Sequence, residues 1–163
     1  MMRGPHCAFR ILIGTLFLLA IPALCSAQIT THCEEHRGET VPKFKIERQF
    51  RGDRGPLLEL FVSVSRKDIS REAILALSCH IGQLHSSEPV LVVWIFDNRK
   101  AARAYNPQGE GNSRQIVSSL LGSYGFNKDA THRFHSLEWY KVPGDPRSIE
   151  HIDFGMPPHP EPS

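Results

Sequence analysis

The chain has 163 residues, with 19 Lys and Arg against 17 Asp and Glu and a formal net charge of +2. Arg3 and Arg10 supply the whole excess, so residues 28–163 carry 17 charges of each sign. That balance argues against a nucleic-acid binder, which shows a basic excess or stripe, and against electrostatic attachment to anionic lipid.

Residues 1–27 read as a cleaved secretory signal. Arg3 and Arg10 make a basic start, Ile11 to Leu24 is a 14-residue run without charge, and Cys25-Ser26-Ala27 offers small residues before Gln28. A membrane anchor is the alternative. The run falls short of the ~20 residues a spanning helix needs, and Pro22 interrupts it. Lipidation at Cys25 would want a small residue where Leu24 stands. No later apolar segment is long enough to span, so the expected protein is exported, periplasmic or secreted, with no transmembrane segment after cleavage.

Two cysteines remain past the signal, Cys33 and Cys79. An even pair in an exported chain predicts a disulfide. Each has a histidine neighbour (His32-Cys33 and Cys79-His80), and zinc favours those ligands. Adjacent helical positions point about 100° apart, however, so Cys79 and His80 would not chelate one ion easily.

In chain order, residues 28–42 form a polar arm without periodicity. Phe44, Ile46, Arg48 and Phe50 alternate with polar residues, which predicts a half-buried strand. Arg51 to Pro56 is a Gly- and Pro-marked turn. Its Arg51-Gly52-Asp53 tripeptide needs no adhesion role, since turns favour Gly and Asp anyway. Leu57 to Ser65 is the hairpin partner. Asp68 or Ser70 caps a helix whose Ala73, Ile74, Leu77, Ile81 and Leu84 make one buried stripe. Cys79 lies off that stripe, open to an arm bearing Cys33.

Val90 to Phe96 is uninterruptedly apolar and predicts a strand covered on both faces, parallel to the strand before the helix. Asn98 to Tyr105 is a short helix, capped by Asp97 or Asn98. Asn106 to Asn112 is a loop. Residues 113–121 are ambiguous between helix and strand. Residues 117–126 and 134–142 read as a final hairpin, and 144–163 as a Pro-rich tail with little regular structure. The expected fold is α+β, with one domain over residues 43–143. Its mixed sheet has about five strands in the order ββαβ(α)ββ, and its helices pack mainly on one face.

Two constellations carry chemistry. Asp97 ends a strand expected to be parallel, where ligands gather in crossover sheets, so it is a candidate catalytic acid or base; the plainer reading is a helix cap. His132 and His135 are a candidate metal pair, needing a third ligand such as His151, Asp97 or Glu138. HExxH, GxSxG, GxGxxG and P-loop patterns are absent from the sequence. The expectation is a non-catalytic binding module without a cofactor, its partner a protein or a small molecule. The alternatives are a metal-dependent hydrolase using Asp97, His132 and His135, and a structural envelope subunit docking through its Pro-rich tail.

Overall fold

The structure, a computed structural model, describes residues 32–35, 39–52, 55–129 and 131–156. The expected signal segment, Asp53 of the Arg-Gly-Asp turn and the last prolines of the tail lie outside the described residues. The elements are α1 (His32–Glu35), β1 (Phe44–Arg51), β2 (Leu57–Val64), α2 (Arg71–Leu84), β3 (Val90–Phe96), α3 (Arg99–Ala104), α4 (Arg114–Val117), β4 (Leu120–Asn127), β5 (Phe134–Tyr140) and β6 (Ile149–Asp153). The strands form one mixed sheet in chain order. β2 and β3 run parallel, joined through α2, and the other neighbours are antiparallel. The architecture is α+β as expected, with six strands where about five were anticipated.

The sixth strand corrects the reading of the tail. β6 pairs with β5 and lays Ile152 into the core, and Phe154 follows it there. A five-residue strand flanked by polar positions has too short a period to stand out; the free edge of β5 is what selects it. The ambiguous segment divides: α4 takes Arg114–Val117, and the strand starts at Leu120.

α2 begins where Ser70 accepts a hydrogen bond from the Ala73 N–H at 3.1 Å, which relieves one of the unpaired donors of the first turn. Its Ile74, Leu77 and Ile81 pack on Leu58, Leu60 and Val62 of β2, Leu91, Val93 and Ile95 of β3, and the inward residues of β4 to β6. Leu84, expected in that stripe, is 62% exposed at the last position of α2. Cys79 lies at the margin of this layer and is bonded to Cys33 of α1, their Cα atoms 5.3 Å apart.

Gly82 is required by a close approach. A Cβ there would sit 2.0 Å from the Tyr124 hydroxyl oxygen. That hydroxyl is buried and hydrogen-bonded to His135 Nε2 at 2.9 Å. Gly82→Ala should therefore cost about 2–3 kcal/mol in denaturant unfolding, as overpacking in a rigid core does. Adding Tyr124→Phe removes the worst contact and leaves Cζ at 3.0 Å. The double variant should lose less than the two single losses added together. Additive losses would show that the two sites do not meet.

The second face of the sheet differs. α3 packs there on Phe61, Phe96 and Leu120 through Ala101, Ala102 and Tyr105. The helices thus lie on both faces, a correction to the one-face expectation. α3 has only six residues, and Val92 and Trp94 stay half-buried. β3 is consequently covered in full on the α2 face alone. Its apolar run reflects a strand shared between a closed face and a partly open one.

A bulge corrects the reading of β1. Ile46 pairs with Val62 and Arg48 with Phe61, leaving Glu47 as the extra residue. The insertion reverses the alternation. Phe44 and Ile46 stay on the α2 face, whereas Arg48 and Phe50 turn to the α3 face.

Candidate functional site

The three residues singled out for hydrolysis occupy separate places. Asp97 follows β3 at the end where Phe96 pairs with Leu120. Its Oδ2 receives the Arg66 Nε–H at 2.7 Å, its side chain is 7% exposed, and its Oδ1 is buried without a partner. Asn98, not Asp97, caps α3, accepting from the N–H groups of Lys100 and Ala101. His135 pairs with Phe126 near the opposite end of the sheet. Six or seven strand residues at ~3.3 Å each put about 20 Å between it and Asp97.

His135 is enclosed on the α2 face, stacked on Phe154 with ring centroids 4.9 Å apart. The Met156 carbonyl, 2.9 Å from Nδ1, can only accept. Nδ1 therefore carries the proton, and Nε2 accepts the Tyr124 O–H. Burial pushes the imidazole pKa below its ordinary value, against smaller upward effects from Met156 and Asp153. Both nitrogens are occupied within the core. His132 is exposed in the turn between β4 and β5. Glu138 and His151, offered as further ligands, lie on the other face of the sheet from His135, one residue out of phase with Leu137 and Ile152 of the core. Among the described residues no three His, Cys, Asp or Glu side chains are grouped to hold a metal ion.

The α3 face holds a different cluster. Across β2 to β6, in register, stand Phe61, Trp94, Ser123, Glu138 and His151. Beside them run Glu59, Val92, Gly125, Ser136 and Asp153. At the β1 end this face is closed. The Glu47 carboxylate accepts Arg99 Nε–H at 2.7 Å, Arg103 Nε–H at 2.8 Å and the Ser63 hydroxyl at 3.0 Å. Desolvation would raise its pKa, but these donors outweigh it and hold the group at about 2. Arg48 stacks 3.8 Å over the Phe61 ring and donates to the Tyr105 carbonyl at 2.6 Å.

From Glu59 of β2 and Val92 of β3 across to β6 the face is partly open. Trp94 packs against Tyr105, centroids 5.2 Å apart, and donates its indole N–H to Glu59 at 2.7 Å. Glu138 accepts the Ser123 hydroxyl at 3.1 Å. Burial raises the Tyr105 phenol pKa, and the nearby Tyr140 and Glu59 add to it. Burial likewise raises that of Tyr140, with Glu138 adding to it. Three aromatic rings and two carboxylates thus converge. Phe134, 43% exposed, lies over Gly125, where a Cβ would be 3.4 Å from its ring. Past it, an open cavity of about 230 Å³ is lined by Arg133, Phe134, Ser136, His151 and Asp153, among others.

Glu59, Trp94, Ser123, Tyr105, Tyr140 and Asp153 were not singled out from sequence. A weak signal existed. Glu59 is the one charge within LLELFVSV, and Phe134, Ser136, Glu138 and Tyr140 alternate with the buried His135, Leu137 and Trp139. Comparison with protein-family models finds no match, nor do the comparisons with curated proteins and with solved structures.

Proposed function

We propose that the protein is a small exported binding module that takes its partner on the open half of the α3 face. The observation that carries this reading is the incomplete cover of that face. α2 closes one side of all the central strands, whereas six-residue α3 leaves Val92, Trp94, Phe134, Tyr140 and Ile149 partly in water. A contiguous patch of aromatic and aliphatic side chains rimmed by polar groups is the usual character of an interaction site. The edges of the sheet are poor alternatives. β1 carries Lys45, Glu47, Arg48, Arg51 and a bulge, and β6 has five residues; both features discourage strand addition.

Export rests on the signal-like residues 1–27 and is supported by the Cys33–Cys79 disulfide, a bond that oxidising compartments preserve. Among the described residues no helix is long and apolar enough to cross a membrane. Hydrolysis through Asp97, His132 and His135 has less support, since those side chains stand apart.

Panning a random dodecapeptide library on the purified protein tests the reading. Enriched peptides should bind the wild type and lose about tenfold or more in affinity on both Val92→Arg and Phe134→Ala. Peptides indifferent to both substitutions, or no enrichment at all, would overturn the open face as the binding surface.

A further inference from the structure

The charges on the α3 face are unevenly paired. On the covered half Arg99 and Arg103 pair with Glu47, and Arg48 stacks on Phe61. Glu88, Asp97 and Glu150 likewise pair with arginines elsewhere on the molecule. On the open half the carboxylates have neutral companions. Glu59 accepts from the Trp94 indole, Glu138 from the Ser123 hydroxyl, and Asp153 from the Gly155 backbone N–H. These three acids share one face with the partly exposed rings of Trp94, Tyr140 and Phe134, and aromatic rings attract cations through their faces. Arg133 lines the cavity as well.

Resting on the binding reading above, we infer that the partner is an extended basic peptide whose Lys or Arg side chains pair with Glu59, Glu138 and Asp153 while their stems lie on the aromatic rings. The spacing fits such a chain. Glu59 and Glu138 are three strands and one two-residue row apart, and Glu59 and Asp153 four strands apart in one row, which is about 16 and 19 Å at the usual strand spacings. An extended peptide crossing the strands repeats same-side residues every ~6.8 Å, so residues four and six apart reach those carboxylates. A small molecule fits less well, because Glu59, Glu138 and Asp153 are spread from β2 to β6 across the sheet rather than gathered in one enclosed pocket. Long basic side chains suit the site because an apolar stem can cover Val92 and Trp94 while the charged head reaches a carboxylate.

Fluorescence anisotropy with three labelled peptides of one length tests the inference: alternating Ala-Lys, alternating Ala-Gln and alternating Ala-Glu. The lysine peptide should bind about tenfold or more tighter than the glutamine peptide, the glutamate peptide should not bind, and added salt should weaken binding. Glu59→Gln/Glu138→Gln/Asp153→Asn should reduce lysine-peptide affinity about tenfold or more. Glu34→Gln/Asp68→Asn/Glu72→Gln, with the same change in net charge on other surfaces, should leave it unchanged. Equal losses in the two triple variants would reduce the effect to net charge and overturn the site. Equal binding of the lysine and glutamine peptides, lost on Val92→Arg, would overturn the basic partner while leaving the binding face intact. Spermine binding tighter than the lysine peptide would identify a free polyamine and overturn the peptide. Absence of binding by all three peptides would overturn the inference, while library panning decides the face separately.

Discussion

Val93→Asp should abolish folding, whereas Val92→Asp, one residue earlier on the same strand, should leave a cooperatively folded protein. Val93 has no exposed surface and stands between Leu60 and Tyr124 in the sheet, facing α2. A lone carboxylate there has no partner and no water, and its transfer costs several kcal/mol even if it takes up a proton. A domain of this size has about 5–15 kcal/mol in total, and the lost packing adds to the deficit. Val92 points to the open face beside Glu59 and Gly125 and is half-buried. An aspartate there keeps its water and costs about 1 kcal/mol, through weaker strand preference and repulsion from Glu59. Soluble yield and urea unfolding followed by circular dichroism measure both. If Val93→Asp melted cooperatively near the wild-type midpoint, or Val92→Asp failed to fold, the assignment of the two faces would be wrong.

Cys33→Ser/Cys79→Ser should lower stability by about 4 kcal/mol on the chain-entropy account. The bridge joins residues 46 apart in sequence, closing a loop that contains the β1–β2 hairpin and much of α2. The loss has a structural side as well. α1 has four residues, well below the length at which a helix persists alone. The bridge and a few contacts around Val41 hold that arm against the core. Cys33 lies outside the strands and at the margin of the core, so the variant should retain the strand signature while residues before Phe44 become open to protease. Urea unfolding and limited proteolysis read the two effects. Alkylation of the purified wild type without reductant, followed by mass spectrometry, should label neither cysteine. Unchanged stability in the serine variant, or two labelled thiols in the wild type, would contradict the bridge's role.

Much of the frame was legible because it depends on local signals. Alternation over Leu57 to Val64, the cap at Ser70 and the apolar spacing of α2 each specify an element by neighbours a few residues away. The disulfide was legible by elimination, since two thiols remain once the signal-like segment is set aside. Crossover from β2 through α2 to a parallel β3 followed from order and handedness. The chemistry was less legible. Asp97 and Asn98 are both good caps by type, and only backbone geometry shows that the Asn98 side chain reaches the free N–H groups while Asp97 turns to Arg66. His132 and His135 are three apart, but the strand begins between them, so one stays in water and the other enters the core.

The sequence by itself determined the α+β class and the positions of β2, α2, β3 and α3, and it pointed to Cys33 and Cys79 as a pair, because propensity, capping and short periods act within a few residues. Tertiary structure decided which face of β3 stays open, where β1 bulges, that residues 149–153 become a sixth strand, and that Glu59, Trp94, Glu138 and Asp153 share a surface. Those outcomes turn on how much of the sheet a six-residue helix can cover, on the free edge that β5 presents, and on register between strands tens of residues apart. Each is a property of surfaces in contact, which no local stretch of sequence encodes.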